Sequence, residues 1–175
     1  MPEAARTAGA LRARRFAGWV ALIVLIIALD QLTKFIVLAS IRPGEVIEVT
    51  SFFKLVLGFN PGAAFSFLAD HSGWQRWFFI VLAFGVSGWL CALLYRDPFQ
   101  RLPALAYTLI VGGALGNVID RFHFPGVVDF LYFHYDRWGW PAFNVADSAI
   151  TVGVIVLLVA AFFPARTPSI GASTS

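Results

Sequence analysis

Four stretches of the sequence are long and apolar enough to cross a lipid bilayer, and they constrain the fold more than any other feature. A transmembrane helix needs about 20 consecutive, predominantly apolar residues. The stretches cover approximately residues 16–38, 74–95, 102–119 and 142–163. The chain is 59% hydrophobic and 13% charged, whereas soluble domains average about 45–50% and about 25%. Because this excess apolar surface needs lipid to cover it, we predict an α-helical integral membrane protein with four transmembrane helices.

The first stretch is preceded by arginines, as a secretory signal peptide is. It is too long for the apolar region of a signal peptide, and no small-residue cleavage site follows it. We therefore interpret it as a retained helix and predict one membrane domain over residues 16–163, flanked by tails at residues 1–15 and 164–175.

Basic residues near the ends of the apolar stretches predict the orientation, since Lys and Arg concentrate in cytoplasmic segments. Residues 1–15 carry four arginines, the short loop between the second and third stretches carries Arg96 and Arg101, and the C-terminal tail carries Arg166. The other two connections are longer and mix acidic with basic residues. We therefore expect both termini in the cytoplasm and the longer connections outside.

The first outer connection, about residues 41–70, has the composition of a small sheet. Val46–Val49 and Phe53–Phe59 are rich in β-branched and aromatic residues, a turn signal follows at residues 60–62, and Ala63–Phe67 comes next. This pattern predicts an extracytoplasmic β-cradle lying on the membrane. The second outer connection is rich in Phe, Tyr and Trp, which favour the membrane–water interface.

Three aspartates lie within or at the ends of the apolar stretches, where charged groups are costly and mark functional sites. At about 1.5 Å per residue from the cytoplasmic ends, Asp30, Asp120 and Asp147 lie at depths of roughly 20, 27 and 24 Å. Asp129 follows Asp120 by nine residues and can return to the same layer. The four carboxylates are thus expected to converge near the outer leaflet.

Two of these aspartates have a basic residue nearby in the sequence. Asp30 and Lys34 are four residues apart, so they share a helix face and can form an ion pair. Asp120 is followed by Arg121, which we interpret as its counter-charge. A structural role is the expectation for both aspartates.

Asp129 and Asp147 have no basic residue within a helical turn. Two carboxylates without cations in an apolar site are stable if they share a proton. In aspartic proteases, one such carboxylate takes a proton from water while the other, protonated, polarises the scissile carbonyl. Spacing alone leaves open the alternative of two separately hydrogen-bonded interfacial aspartates.

Other polar residues at similar depth are less specific. Asn60, Asn117 and Asn144 can hydrogen-bond a substrate backbone or simply satisfy helix ends. The third stretch contains Gly112, Gly113 and Gly116, which predict close helix packing. The single cysteine and the three histidines lack metal-site spacing, so no metal is predicted. A net charge of only +3 makes nucleic acid an unexpected partner.

Five short motifs, in this order, resemble those of the bacterial lipoprotein signal peptidases, also called signal peptidase II. They are DQLTK at residues 30–34, NPGAAFS at 60–66, GGALGNVIDR at 112–121, VVDF at 127–130 and FNVADS at 143–148. The resemblance spans approximately residues 16–163 and implies four transmembrane helices with an outer β-cradle and a short interfacial helix. It implies a membrane peptidase without a cofactor, located in the bacterial cytoplasmic (inner) membrane, with its active site toward the outer leaflet.

The resemblance also assigns roles to individual residues. It implies a catalytic dyad of Asp129 and Asp147. The residues implied to position the substrate or the dyad are Asn60, Gly62, Asn117, Arg121 and Asn144, and those implied as supporting residues are Asp30, Lys34 and Asp120. The implied substrate is a prolipoprotein carrying a diacylglyceryl cysteine, cleaved just before that cysteine, and the implied inhibitor is the cyclic peptide globomycin.

Two other classes of function are compatible with intramembrane carboxylates. A proton- or ion-coupled transporter uses them as relays, but a relay needs ionisable groups through the full depth, and the inner half of every stretch lacks them. A transporter of this size would also often show repeated halves, and none is visible. A non-catalytic lipoprotein scaffold is the second alternative, and only the presence of both dyad aspartates argues against it.

Overall fold

The computed structural model describes residues 2–62 and 73–163 and contains four helices and four strands. In chain order these are α1 Pro2–Ser40, β1 Val46–Thr50, β2 Phe53–Asn60, α2 Trp74–Arg96, α3 Arg101–His123, β3 Val127–Tyr135, β4 Trp138–Gly139 and α4 Val145–Phe162. Each helix is long and apolar enough to cross a membrane. The predicted four-helix membrane fold is therefore confirmed.

Helix α1 is much longer than its predicted span. It begins at Pro2, so the segment predicted as an N-terminal tail continues the helix. Its 39 residues correspond to a length of about 58 Å, nearly twice the hydrocarbon core of about 30 Å. One end of α1 therefore extends beyond the hydrocarbon core.

Helix α3 lies at the centre of the bundle and packs against the other three helices. A Cβ atom at Gly112 would lie 2.9 Å from the Cβ of Ile26 on α1, and one at Gly113 would collide with the backbone carbonyl oxygen of Ala146 on α4. These approaches are possible only because α3 lacks side chains there. They confirm the predicted close packing at the glycines.

The strands form one antiparallel sheet in the order β1-β2-β3-β4. Strands β1 and β2 lie where the sequence predicted the cradle. Strand β3 belongs to the second outer connection, which was predicted only as an aromatic interfacial segment. It pairs with β2 in a register that puts Asp129 opposite Gly58 and Val127 opposite Asn60.

The sheet lies at the end of the bundle where α1 and α3 finish and α2 and α4 begin. Phe130 on β3 is buried with Val37 and Ile41 from the end of the first helix and its following turn. The predicted continuation of the cradle over Ala63–Phe67 lies outside the described residues. Within the described ranges the helices are the four named above, so the short interfacial helix stays a prediction.

Candidate active site

The predicted site residues come together at the sheet end of the bundle, although five elements, the turn after β2 and the residue before α4 supply them. One group is organised around a buried cation. The Nζ atom of Lys34 lies 2.7 Å from Oδ2 of Asp30 and 2.7 Å from Oδ2 of Asp120, and all three side chains are buried. The predicted pairing of Asp30 with Lys34 is thus present, and a second carboxylate joins it.

The direct ion pair of Asp120 is with Lys34 of α1. Its sequence neighbour Arg121, the predicted counter-charge, interacts with it electrostatically without forming an ion pair. Adjacent residues on a helix do not face one another, so Arg121 points elsewhere. Gln31, which sequence reasoning gave no role, donates through Nε2 to Oδ1 of Asp120 at 2.9 Å. Its position next to Asp30 in the first motif was the only available signal.

The carboxylates of Asp30 and Asp120 also accept hydrogen bonds from backbone groups next to Asp147 and Asp129. Oδ1 of Asp30 accepts a hydrogen bond from the N–H of Ala146 at 2.9 Å. Oδ2 of Asp120 accepts one from the N–H of Val128 at 3.0 Å. Ala146 and Val128 directly precede Asp147 and Asp129. Lys34 and its two aspartates therefore fix the backbone that carries these other two carboxylates.

Asn144 connects Asp129 and Asp147. It caps the N-terminus of α4, where its Oδ1 accepts from the N–H of Asp147 at 2.9 Å. Its Nδ2 donates to Oδ1 of Asp129 at 2.8 Å, with a longer approach to the carbonyl oxygen of Val128 at 3.2 Å. One buried amide therefore holds the carboxylate of Asp129 and the backbone that carries Asp147.

Asn117 links Lys34 to Asp147. Its Nδ2 donates to Oδ1 of Asp147 at 2.7 Å, while its Oδ1 accepts from Nζ of Lys34 at 3.1 Å. The ammonium thus polarises the amide whose N–H holds Asp147. The carboxylate is oriented by a neutral donor, and no ion pair of Asp147 is found within the described part of the chain.

Asn60 approaches Asp129 from the end of β2. Its side chain hydrogen-bonds the Asp129 carboxylate, and its Oδ1 accepts from the N–H of Gly62 at 2.9 Å. Gly62 has a φ of +112°, and a Cβ atom there would lie 2.5 Å from the ring of Phe79. Only glycine suits this turn, both for its backbone conformation and for the space available.

Arg121 is half-buried and lies one helical turn beyond Asn117 on α3. Its Nη1 donates to the carbonyl oxygen of Asn117 at 3.1 Å, and its guanidinium carbon lies 5.0 Å from the ring centre of Phe79. The positive charge interacts electrostatically with Asp147 and, more weakly, with Asp120 and Asp129. Because no described residue forms an ion pair with the guanidinium, it retains N–H groups that can bind a ligand's oxygen atoms.

Burial and the neighbouring carboxylate make Asp129 a weak acid. Desolvation is the larger cause and the charge of Asp147 the second, and together they raise the pKa of Asp129 from its ordinary value of 3.8 to about 7. Hydrogen bonds from Asn60 and Asn144 act in the opposite direction. A carboxyl group with this pKa can carry a proton at neutral pH.

One cleft is bordered by Asp147, and a second is lined by Asn117, which hydrogen-bonds Asp147. The first, of about 420 Å³, is bordered by Asp147, Ser148 and aromatic residues before α4. The other, of about 250 Å³, lies between α2, α3 and α4, with mostly apolar walls and with Asn117 and Arg121 among its lining residues. Among residues 2–62 and 73–163, no three His, Cys, Asp or Glu side chains are grouped to hold a metal ion.

The fold and the site define a multi-pass membrane protein whose helices and sheet enclose a buried cluster of carboxylates, amides and a lysine. The model of one family, signal peptidase (SPase) II, matches residues 22–163. The chain therefore belongs to the signal peptidase II family of bacterial membrane peptidases.

Relatives and solved structures agree with this membership. A lipoprotein signal peptidase of Azoarcus sp. (strain BH72) is 61% identical over 140 residues, which cover 80% of each chain. One from Cupriavidus taiwanensis is 53% identical over 141 residues, covering 81% of this chain and 80% of the relative. A bacterial membrane enzyme solved in meso at 1.9 Å resolution superposes with a TM-score of 0.75 and 30% identity, covering 85% of this chain and 95% of that one.

Proposed function

We propose that this protein removes the signal peptide from diacylglyceryl-modified prolipoproteins, cleaving just before the lipidated cysteine by aspartic catalysis. Asp129 and Asp147 are the proposed catalytic pair. The observation that carries the proposal is their environment. Both are held by asparagine amides at the end of the bundle, whereas the neighbouring Asp30 and Asp120 form ion pairs with one lysine.

In the proposed mechanism, the pair holds one proton before the reaction. Asp129 carries it, since its pKa is raised to about 7. Asp147, ionised, takes a proton from a water molecule as the water oxygen attacks the scissile carbonyl carbon. Asp129 gives its proton to the carbonyl oxygen, so that a neutral tetrahedral diol forms without a free oxyanion.

Collapse of the diol reverses the proton positions. Asp147 donates its newly acquired proton to the departing amide nitrogen, and the carbon–nitrogen bond breaks. Asp129 recovers a proton from one hydroxyl as the carboxylic acid product forms. The pair returns to its singly protonated state with one water consumed. Asn117 and Asn144 hold the two carboxylates in place throughout.

The proposed substrate fits the walls around the pair. The cleft between α2, α3 and α4 has apolar walls, with Arg121 and Asn117 beside the pair, which suits an apolar signal peptide whose backbone carbonyls need donors. Asn60 and Gly62 would bound the peptide from the sheet side. We place both termini in the cytoplasm and the pair near the outer leaflet, because the arginine-rich segments lie at the end opposite the sheet.

The test is cleavage of a diacylglyceryl prolipoprotein in detergent by the wild type, Asp129→Asn and Asp147→Asn. Each variant keeps the shape of the side chain and loses its acid–base function, so we expect a loss of at least about 10³-fold in rate. Asp136→Asn is the matched control: it removes the same charge from an exposed turn residue at a φ of 49°, a conformation that asparagine tolerates.

The results separate the two parts of the proposal. If the wild type cuts before the lipidated cysteine, globomycin blocks it, and only Asp136→Asn remains active, both parts stand. If either dyad variant cuts at the wild-type rate, the catalytic assignment fails. If a folded wild type does not cut, the substrate assignment fails and a non-catalytic lipoprotein scaffold becomes the better interpretation.

A further inference from the structure

A groove of about 520 Å³ lies on α1 at the end of the molecule opposite the candidate active site. Its walls come from a single face of the helix, since its members are spaced by three or four residues. They are Leu11, Arg14, Arg15, Gly18, Trp19 and Leu22. The groove therefore runs along the helix axis, with its cations at the N-terminal end and its apolar residues toward the bilayer.

The cationic end of the groove has no counter-charge among residues 2–62 and 73–163. Arg14 and Arg15 are both exposed, and neither takes part in a hydrogen bond or ion pair with the described part of the chain. A guanidinium presents a planar set of N–H donors that matches the oxygens of a phosphate. Two such groups side by side select an anionic ligand.

At the apolar end, Gly18 leaves a hollow and the indole ring of Trp19 forms a wall. A Cβ atom at Gly18 would have no protein atom within 4 Å, so the hollow is open there. Trp19 forms one wall, and its Nε1 donates to the carbonyl oxygen of Pro98 at 2.9 Å, which holds the ring in place. Leu22 lies about 10 Å beyond Arg15 along the axis, the direction of the lipid tails.

Neighbouring contacts place this groove at the membrane–water boundary. The ring of Phe16 packs edge-on against Tyr95 at 5.3 Å, and Pro98 belongs to the short α2–α3 connection. Trp and Tyr side chains favour this boundary. The arginines thus lie at headgroup level, while Gly18 and Leu22 lie in the acyl region.

We infer that this groove binds one anionic phospholipid, with its phosphate on Arg14 and Arg15 and an acyl chain along Gly18 and Leu22. A zwitterionic lipid would bring its own cationic group against the arginines and bind less well. Five of the six lining residues precede residue 22, where the family match begins. The inference does not depend on the proposed peptidase mechanism.

The test is native mass spectrometry of the full-length protein, titrated in detergent with phosphatidylglycerol or phosphatidylcholine. We expect one phosphatidylglycerol to bind the wild type preferentially. Arg14→Gln/Arg15→Gln should weaken that binding by about 30-fold, as two arginine contacts at about 1 kcal/mol each imply. Arg6→Gln/Arg12→Gln removes the same charge from arginines outside the groove and should bind as the wild type does.

A second variant tests the hollow without changing charge. Gly18→Leu has space for its side chain and should also lose the bound lipid, while apparent Tm values verify that all variants are folded. Equal weakening by both arginine pairs would reduce the site to general surface electrostatics. Equal binding of both lipids, or unchanged binding by Gly18→Leu, would overturn the inference. Displacement by millimolar inorganic phosphate would mean that the acyl chain contributes nothing.

Discussion

At the level of single residues, the surroundings of each aspartate decide what it can do. Asp30 and Asp120 share one buried cation, Lys34. Asp129 and Asp147 instead receive hydrogen bonds from neutral amides. A nearby cation strongly stabilises the ionised form of a carboxylate. A neutral amide orients the carboxylate but favours its ionised form less. Asp129, which lies on the sheet and has a pKa raised to about 7, can therefore exchange a proton at neutral pH.

The raised pKa of Asp129 predicts a pH dependence of stability. Because the pKa is about 7 in the folded protein against an ordinary 3.8, the folded state binds more protons than the unfolded state between these values. The free energy of unfolding should therefore fall as the pH rises from about 4 to about 7, and level off above. Asp129→Asn should lose this component, as apparent Tm values across the range would show. Asp136→Asn should keep the wild-type slope, and identical slopes for all three proteins would contradict the prediction.

Replacing Asn144 should separate its two contributions. Asn144→Ala removes the cap of α4 and the amide donor to Asp129. We expect a stability loss of about 1–2 kcal/mol and a cleavage rate at least about 100-fold lower. Asn144→Ser restores a capping oxygen without the amide donor, so it should recover most of the Tm and little of the rate. Full activity in the serine variant would show that the bond to Asp129 is dispensable.

The sequence predicted which aspartates lack a nearby basic residue, but not what each carboxylate binds. Asp120 was assigned to Arg121 because the two are adjacent in sequence. Its direct partners, Lys34 and Gln31, are on α1, more than eighty residues earlier. Pairing of this kind depends on the rotation of α1 against α3, which side-chain spacing within one helix does not determine.

At the level of elements, apolar length predicted the four helices and composition predicted β1 and β2. Strand β3 was missed because its first four residues, Val127 to Phe130, are all buried. A strand covered on both faces shows no alternation of apolar and polar residues, and its aromatic residues fit a membrane interface equally well. Only the pairing with β2 distinguishes the two interpretations, and that pairing is not a local property.

The close packing at the glycines of α3 predicts a measurable effect on stability and activity. A Cβ atom at Gly113 would collide with the backbone of α4 at Ala146, directly before Asp147. Gly113→Ala should therefore push α4 away, lower the Tm and reduce the cleavage rate. Gly85→Ala on α2 is the matched control, since a Cβ there meets nothing within 4 Å and alanine favours the helix by about 1 kcal/mol. Equal Tm values for the two variants would refute the proposed packing constraint.

At the level of the whole molecule, the polar network holds the bundle and the sheet together. Lys34 on α1 contacts Asp120 and Asn117 on α3, and its partner Asp30 binds the first turn of α4. Asp120 in turn binds the start of β3. At the sheet end of the molecule, one ammonium group is thus connected to both elements that carry Asp129 and Asp147.

Removal of Lys34 should destabilise this network. Lys34→Met should leave Asp30 and Asp120 buried without their cation, a loss that costs about 3–5 kcal/mol in comparable sites. Lys54→Met breaks an ion pair of the same chemistry, but its partner Glu48 is 71% exposed on the sheet, so the cost should stay below about 1 kcal/mol. Unfolding of both variants in mixed micelles measures the difference.

Lys34→Met/Asp120→Asn removes one of the two unpaired charges and should recover part of the stability. The reason is that the cost comes from the unpaired carboxylates rather than from the loss of the lysine's apolar stem. If the double variant is no more stable than Lys34→Met, the lysine acts through packing, and the network does not determine how the bundle meets the sheet.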